Sequence, residues 1–594
     1  MQKWVGWIFF GVFSAFAQQA DYFEAEPIVV TAGRFPMRLA EISRSVTVLD
    51  STQVRLAAHL SVQELLQQAV GVDLQSRGPA GIQADVSIRG ASFENTVVLL
   101  DGIRLNDPQT AHHTLNLPVS LDDVERIEVV RGGASGWYGA DAAGGVINII
   151  TRNAGSNVRL SGGQAGFYGV AASAGFTSSR HQTRFSFERR HSDGYAPRTA
   201  YDLTTLFLRS RLSLPFAALD LYAGVNDKAF DANAFYSSLY PDEWEHTRAW
   251  LGAGRLTWRK KNVQLSPLLA YRRHFDDFVL DKARPDWYRN RHTNHTLSVE
   301  WPLHLLTPYG RFSFTAEWRR EWIRSSNLGE HARETLGAVA GWQRVFAGQW
   351  DVQAALYGHH HSRWGTRLWP GAEIGRRFGN HKLYAALHSA FRVPSFTELY
   401  YQSPANLGNP ALQCERSVSG EIGWTVQRGP MQAGAAVFQR RGRDLIDWVR
   451  NDVKEPWRAV NLGKQVSTGI EFQAETAVRG VPSLSRMALH YSEQQSSKDT
   501  PAFQSKYVLR YLRRQAGVRL TQALSRKVEL QWSIQYKQRR NEPAYTLLDA
   551  TLCWSPGDWQ ILLRGTNLLD IAYYDFIDVP APGRLFTAEL KKSW

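Results

Sequence analysis

The chain has little cysteine, no long apolar run after its first residues and no catalytic motif. Its 594 residues include two cysteines, Cys414 and Cys553, which form neither a disulfide framework nor a metal site, and we expect both to be unpaired. No apolar run after residue 17 approaches the length of a membrane-spanning helix. The sequence also lacks a Gly-x-Ser-x-Gly elbow, a His-Glu-x-x-His pair and a Gly-Lys-Ser/Thr phosphate loop. These absences argue against an enzyme.

Positive charge is plentiful but is not arranged for nucleic acid. The formal net charge is +14, and the lysines and arginines are spread along the chain without forming a run. No helical recognition element or RNA-binding motif accompanies them, so we expect no nucleic-acid partner. Basic loops beside an anionic lipid surface explain the charge more simply. The histidine run His359, His360 and His361 does not predict a metal site, because on a strand His360 faces opposite to the other two.

The first residues predict export. Lys3 precedes the apolar segment 4–13, and Ala15-Phe16-Ala17 gives a small-x-small cleavage site. The segment is too short to span a bilayer. We therefore predict a signal peptide and a mature chain that begins near Gln18.

After Asn153 apolar and polar residues alternate with a period of two. Segments of this kind are residues 158–162, 183–188, 205–210, 310–315, 382–387 and 528–533. Short turns separate many such segments, and Trp and Tyr cluster at their ends, as in antiparallel transmembrane barrels. The length allows about 20 residues for each of 22 strands and its connection, and a spanning strand needs roughly 9–11. Soluble propellers and sandwiches also alternate, but they do not explain the export signal, the stretch 86–151 and the end of the chain together.

The stretch 86–151 predicts a small α+β domain, and the strand-helix-strand order that leads to Val86 suits a four-stranded one. Asp101-Gly102 joins two short apolar runs as a hairpin, because a type I′ turn needs positive φ at both central residues. Arg-Gly pairs at 89–90 and 131–132 and the Gly-Gly pair at 144–145 mark tight turns. In the identity and order of these residues, the stretch resembles the plug domain of TonB-dependent outer-membrane receptors.

Later segments are similar to the same family. They are residues 390–401 with Gly408-Asn409-Pro410, residues 566–570 with Tyr573-Tyr574 and Pro582-Gly583-Arg584, and the terminal aromatic Trp594. Where the family continues with Leu-Lys-Pro-Glu, this chain has Leu-Gln-Cys-Glu at 412–415. The resemblance covers essentially all of the mature chain.

The alternation and the resemblance together predict a 22-stranded antiparallel transmembrane β-barrel with a small N-terminal α+β plug inside it. The expected divisions are a signal peptide (1–17), a leader with a TonB box (18–35), the plug (36–153) and the barrel (154–594). The protein would be an integral, multi-pass protein of the bacterial outer membrane, monomeric and not an enzyme.

A β-branched run after the leader resembles the family's TonB box. It consists of Ile28, Val29, Val30, Thr31 and Ala32. Such a run can add as an edge strand to another protein's sheet, so the expected partner is TonB with its inner-membrane energising complex. The alternative is an ordinary first strand of the plug.

The resemblance implies active import of a scarce metal-chelate nutrient across the outer membrane. The sequence of the plug, the short leader and the compact barrel most resemble those of cobalamin receptors. Ferric-siderophore and haem receptors share nearly every motif, and a passive channel, an adhesin and a hydrolase are alternatives of other classes. Cobalamin relatives often bind calcium through acidic outer loops, and the acids here are Asp231, Asp242, Glu243 and Glu245. Such acids are more often solvated, and no other cofactor is expected.

Ligand contacts are expected on the plug loops 77–84 and 106–116 and on outer barrel loops, since the family's corresponding loops touch the ligand. The residues are Arg77, Gln83, Asp107, Gln109, His112, His113, Asn116, Phe235 and Tyr236.

A plug–barrel charge cluster is expected from Arg89, Arg131, Glu421 and Glu471. Both arginines precede a glycine at a plug turn. Both glutamates lie on strands with the parity opposite to Ile422 and Ile470, so they face the lumen. The family carries a similar cluster at matching positions, and a planar guanidinium can meet a carboxylate bidentately.

Overall fold

The computed structural model describes residues 28–594 apart from positions 30, 234, 237–239, 347–348, 453, 479–480, 482, 499–502, 509 and 577–578. The predicted signal peptide, the leader up to residue 27 and Val30 of the TonB box lie outside the described residues. Within the described part, no helix is both long and apolar enough to cross a bilayer.

The N-terminal part forms short elements, because its apolar runs are brief and end at Gly, Asp and Ser turns. Its strands are β1 (Ile28–Val29), β2 (Met37–Arg38), β3 (Val46–Leu49), β4 (Val72–Ser76), β5 (Ala84–Ile88), β6 (Thr96–Leu100), β7 (Ile103–Arg104), β8 (Val124–Arg131) and β9 (Gly145–Thr151). Its α-helices are α1 (Ser51–Arg55), α2 (Val62–Leu65) and α3 (Ser135–Tyr138). Its 3-10 helices are Leu39–Glu41, Leu66–Gln68, Pro79–Gly81, Phe93–Asn95, Ala111–His113 and Leu121–Asp123.

The plug is built on a sheet with the order β3-β8-β9-β6-β7, in which only the β6–β9 pair is parallel. β4 and β5 form a separate ribbon, and β1 pairs with β2. The sheet has five strands and not the predicted four, because the two-residue β7 completes the hairpin at Asp101-Gly102. These two residues have φ of 49° and 80°, the positive values that the type I′ prediction requires.

Beyond the plug, the alternating segments form long antiparallel strands. They are β10 (Asn157–Gly163), β11 (Tyr168–Thr177), β12 (His181–Ser192), β13 (Tyr201–Ser213), β14 (Ala217–Asp231), β15 (Trp244–Lys260), β16 (Val263–Leu265), β17 (Leu268–Val279), β18 (Arg289–Thr307), β19 (Gly310–Ser325), β20 (Gly329–Phe346), β21 (Trp350–His361), β22 (Gly365–Phe378), β23 (His381–Arg392), β25 (Glu415–Arg428), β26 (Met431–Arg443), β29 (Gln465–Ala477), β30 (Leu484–Lys498), β32 (Leu512–Ser525), β33 (Val528–Arg539), β34 (Tyr545–Trp554), β35 (Trp559–Thr566) and β38 (Leu585–Ser593). The long connections contain α4 (Phe396–Tyr400), β24 (Asn406–Leu407), β27 (Leu445–Arg450), β28 (Trp457–Leu462), β31 (Gln504–Ser505), β36 (Tyr574–Phe576) and β37 (Val579–Pro580).

These strands close a barrel of 22 strands, because β10 pairs with β38. β16 and β17 count as one strand, since both pair with β15 and with β18. The interruption falls at Ser266-Pro267, where proline has no N–H for the ladder. β24, β28, β27 and β31 form a four-stranded sheet from three long connections. The predicted plugged barrel is confirmed.

Neighbouring residues on the barrel strands face opposite sides of the wall. Ile422 and Ile470 are 68% and 47% exposed, whereas Glu421 and Glu471 beside them are 8% and 5% exposed. The apolar side chains therefore face lipid and the acids face the plug, which agrees with the parity read from the sequence. In the histidine run 359–361 the outer two side chains are buried and the middle one is exposed.

Apolar contacts seat the plug against the barrel wall. In one cluster, Leu65, Val98 and Ile127 of the plug pack with other plug residues and with Phe207 and Tyr222 of the barrel. A second cluster joins the start of the described chain to the wall. Its members include Val29, Ala32, Trp137, Ala355 and Tyr357. Cys414 and Cys553 are both free.

Candidate ligand site and plug–barrel contacts

The structure brings all four residues of the plug–barrel charge cluster into contact. Arg89 binds Glu471 bidentately, with Nη2–Oε2 at 2.7 Å and Nε–Oε1 at 3.0 Å, and its Nη1 lies 2.5 Å from Oε2 of Glu421. Arg131 Nε donates to Oε2 of Glu471 at 2.9 Å. The backbone N–H of Ser45 donates to Glu421 at 2.8 Å. Burial alone would lower the pKa of Arg89, but Glu471 and Glu421 raise it above its usual range.

Glycines with positive φ allow the close approach that this cluster needs. Gly71 has φ of 71°, and a Cβ there would lie 2.3 Å from Oε1 of Glu471. Gly132 has φ of 82°, and a Cβ there would lie 3.2 Å from Nη1 of Arg89. Only glycine adopts such a conformation without strain while leaving space for a neighbouring side chain.

Two predicted ligand residues lie together at the outer end of the plug around Asp85. Arg77 Nη2 donates to Oδ2 of Asp85 at 2.9 Å, and His112 Nδ1 is 2.7 Å from Oδ1. The His112 ring stacks on Phe93 with centroids 4.6 Å apart, and Tyr507 lies 5.1 Å from Phe93. An ion pair, an imidazole and two aromatic rings therefore form one cluster between the plug and an outer loop, in which Arg77 and Asp85 are 1% and 2% exposed.

The charge states around Asp85 follow from burial and pairing. Burial alone would raise the pKa of Asp85, but Arg77 and His112 lower it to about 2. Burial lowers the pKa of His112 to about 4 despite the neighbouring Asp85 carboxylate. At neutral pH, Asp85 is therefore ionised and His112 is neutral.

Four other predicted ligand residues contact the barrel wall, and each is 3–5% exposed. The contacts are Asp107 with Arg272, Gln109 Nε2 with Asp276 Oδ2 at 2.8 Å, Asn116 Nδ2 with His274 Nε2 at 2.9 Å, and His113 Nε2 with Asp276 Oδ2 at 3.4 Å. In this structure these side chains hold the plug loop to the wall. Their contact with ligand stays a prediction.

The remaining predicted residues connect the plug to the loop after β14. Gln83 Nε2 donates to the hydroxyl of Tyr236 at 2.7 Å, and that hydroxyl donates to Oε2 of Glu245 at 2.6 Å. Phe235 is 4% exposed and packs against Phe230, with ring centroids 6.0 Å apart.

The four acids named for calcium are engaged with protein groups. Asp231 pairs with Lys282, and Asp242 pairs with Arg198. Glu243 accepts from the backbone N–H of Tyr236 at 3.0 Å, and Glu245 accepts from its hydroxyl. Calcium in the outer loops stays a prediction.

A cavity of about 110 Å³ opens between the plug loop 76–80 and the barrel wall. Its lining includes Glu64 from the plug and Tyr195, Tyr201 and Asp549 from the barrel.

The described residues of the predicted TonB box are held inside the plug. Thr31 donates to Oε2 of Glu128 from its backbone N–H at 3.0 Å and from its hydroxyl at 2.6 Å. Its carbonyl accepts from the Tyr138 hydroxyl at 2.8 Å. Val29 and Ala32 have no exposed surface. Ile28–Val29 forms the strand β1, which pairs with β2, and the role of residues 28–32 as a TonB box stays a prediction.

The sequence analysis did not predict several residues in and near the cluster around Asp85. Asp85 carried a signal, because it is a lone charge within the otherwise apolar or small β5. Glu94 accepts from the backbone N–H of Ala111 at 3.1 Å, and burial with the nearby Glu398 carboxylate raises its pKa to about 8. Tyr507 carried no signal, because it meets Phe93 only through the fold.

Comparison with known proteins identifies the family. Residues 38–146 match the TonB-dependent Receptor Plug Domain, and residues 122–568 match the family described as TonB dependent receptor-like, beta-barrel. The chain is a TonB-dependent receptor. It is therefore an integral outer-membrane protein and a transport protein, not an enzyme.

The receptor is similar in sequence to vitamin B12 transporters. It is 26% identical to the vitamin B12 transporter BtuB of Vibrio vulnificus over 483 residues, 76% of each chain. It is 24% identical to that of Vibrio cholerae serotype O1 over 619 aligned positions, 95% of each chain.

Solved structures with the same fold include the ferric yersiniabactin uptake receptor FyuA of Yersinia pestis, with a TM-score of 0.77, 16% identity and coverage of 93% and 98% of the two chains. The siderophore receptor PirA of Pseudomonas aeruginosa gives a TM-score of 0.73 at 18% identity, with coverage of 92% and 99%.

Proposed function

We propose that the receptor imports cobalamin across the outer membrane and draws energy from TonB. One observation carries the choice of ligand: the alignment with a vitamin B12 transporter extends over 95% of both chains. The solved siderophore receptors are 16–18% identical, so they support the fold and not a ligand. Cobalamin would rest above the plug, over the cluster that contains Arg77, His112 and Phe93.

Coupling to TonB would use residues 28–32 by strand addition. In the resting receptor β1 is paired with β2, Ile28 with Arg38 and Val29 with Met37. Val29 and Ala32 are also fully buried, so TonB could not reach them in this state. Ligand binding would therefore favour plug conformations in which β1 is released, including loss of the contact between Thr31 and Glu128.

A ferric chelate is the second candidate, and the outer loops supply the observation that favours it. Arg450 lies over the ring of Trp457 at 4.2 Å, and Lys506 lies 5.5 Å from the ring centroid of Tyr507. Basic groups stacked on aromatic rings suit an anionic ligand with aromatic parts. Haem and catecholate chelates have this character.

Equilibrium binding to the purified receptor separates the two candidates. Quenching of tryptophan fluorescence would be titrated with cyanocobalamin, ferric catecholate chelates and haem under the same conditions. We expect saturable binding of cyanocobalamin in preference to the others. Preferential binding of a ferric chelate or haem would replace cobalamin by the second candidate.

Uptake by cells tests the coupling segment separately. Val29→Pro removes a backbone donor and fixes φ, so we expect it to abolish uptake while ligand binding to cells is retained. Val29→Ala keeps the N–H and serves as the matched control, with uptake preserved. A protonophore should stop uptake by the wild type. Normal uptake by Val29→Pro, or uptake insensitive to the protonophore, would contradict the proposed coupling.

A further inference from the structure

A histidine and two carboxylates from three elements meet where the plug loop 106–116 contacts the barrel wall. His113 is the last residue of the 3-10 helix Ala111–His113, Glu245 is the second residue of β15, and Asp276 lies near the end of β17. One potential ligand atom from each residue lies within 4.8 Å of the other two. Nδ1 of His113 is 3.9 Å from Oε1 of Glu245, and Nε2 is 3.4 Å from Oδ2 of Asp276.

These groups are buried, and two of their oxygens lack a partner. His113, Glu245 and Asp276 are 3%, 1% and 4% exposed. One oxygen of each carboxylate accepts a hydrogen bond, from Tyr236 and from Gln109 respectively. Within the described part of the chain, Oε1 of Glu245 and Oδ1 of Asp276 have no hydrogen-bond partner. Buried carboxylate oxygens are rarely left in this state, because their desolvation is costly.

Among the described residues, His113 is the only cationic side chain within ion-pair distance of Glu245 or Asp276. Arg272 pairs with Asp107, and Nζ of Lys228 donates to backbone carbonyls of the plug loop. A protonated His113 would offset only one of the two negative charges. A divalent cation bound with a neutral His113 would offset both, and it would contact Oε1 of Glu245, an unpartnered oxygen that faces the His113 ring.

We propose that His113, Glu245 and Asp276 bind a divalent transition-metal ion of the Zn²⁺ type, which cross-links the plug to two barrel strands. An imidazole ligand disfavours Ca²⁺ and Mg²⁺, which take oxygen donors. Zn²⁺ accepts imidazole and carboxylate together, with bonds of about 2.0–2.2 Å and a fourth position for water. Ligand atoms in that geometry lie about 3.4 Å apart. One nitrogen of His113 would bind the ion, and the carboxylate that now faces the other nitrogen would move toward it. The proposal does not depend on which nutrient is imported.

Metal binding to the purified receptor, prepared without a histidine tag, tests the proposal. Zn²⁺ would be titrated in competition with a chromophoric chelator against the wild type, His113→Ala and Glu245→Gln. The expected result is one Zn²⁺ per wild-type chain and an affinity at least about tenfold weaker in both variants. His112→Ala is the matched control, because the adjacent His112 pairs with Asp85, and its zinc affinity should equal that of the wild type.

A cysteine replacement distinguishes a metal ligand from a merely structural residue. His113→Cys should keep the ion, and with Co²⁺ it should give a sulfur-to-cobalt charge-transfer band that the wild type lacks. Folding of each variant would be checked by the barrel's resistance to denaturation in unheated dodecyl sulfate. Absence of stoichiometric Zn²⁺ binding by the wild type would overturn the proposal. So would equal affinities in wild type and His113→Ala, or a folded His113→Cys without the cobalt band.

Discussion

Removal of Glu471 from the plug–barrel charge cluster should detach the plug more than any surface substitution does. Glu471 accepts two N–H groups of Arg89 and one of Arg131, and its side chain is 3% exposed. In Glu471→Ala, Arg89 keeps only Glu421, and Arg131 has no carboxylate left within the cluster. One buried positive charge is then uncompensated. Breaking a buried pair in this way costs about 3–5 kcal/mol.

Glu475→Ala is a control on the same strand. The Glu475 side chain is 30% exposed and pairs with Arg486, whose side chain is 27% exposed. A solvated pair of this kind contributes about 0–1 kcal/mol. The two substitutions remove the same atoms from β29, so they differ mainly in the burial of the carboxylate and in the hydrogen bonds that it accepts.

Hydrogen exchange followed by mass spectrometry would measure the effect locally. The amides of β8 and β9 report opening of the plug, and those of β19 and β20 report the barrel as an internal reference. Glu471→Ala should reduce the opening free energy of the plug strands by about 3–5 kcal/mol and leave the barrel strands unchanged. A loss below about 1 kcal/mol, or one equal to that of Glu475→Ala, would mean that the cluster is effectively solvated.

Two further predictions concern single plug residues. Glu128→Gln should weaken the hold on Thr31 and increase protease cleavage near residue 31 in the ligand-free receptor, and unchanged cleavage would remove this contact from the retention of β1. His112 has a folded-state pKa of about 4, below the usual 6.5 of an unfolded chain, so its contribution is fully present above pH 6.5 and is lost as the pH falls toward 4. The drop in plug stability between pH 7 and pH 4 should therefore be smaller in His112→Asn than in the wild type, as measured by exchange of the β5 amides, and an equal drop would refute the assignment.

The parity of a strand made the barrel side of the charge cluster predictable. Glu421 and Glu471 interrupt alternating segments whose next or preceding residue is an isoleucine, so the lumen-facing side follows from the sequence alone. The arginines were predictable because each precedes a glycine at a turn. The contribution of Ser45 carried no such signal, because it depends on how the residue before β3 is placed beside Glu421 of β25 and Tyr384 of β23.

The contacts of the side chains at the outer end of the plug could not be predicted in the same way. His112 and His113 are adjacent, yet one pairs with Asp85 of the plug and the other faces Asp276 of the barrel. Both histidines lie in the 3-10 helix Ala111–His113, where successive side chains point about 120° apart. The alternation of a strand therefore does not apply, and the sequence does not say which side chain turns inward. The wall opposite it comes from β15 and β17, whose height relative to the plug depends on the register of the closed barrel.

The plug's contacts suggest how a pull on residues 28–32 would reach the barrel. Glu128 holds Thr31, and Arg131 binds Glu471, and both residues lie on β8. They are three positions apart in the sequence, so their side chains point to opposite faces of the strand. Under the proposed coupling, tension that extracts Thr31 would act first on Glu128 and then along β8 toward Arg131. β8 is bonded to β3 on one side and β9 on the other, so displacing it requires the sheet to shear. The charge cluster and the TonB segment are in this sense connected through one strand.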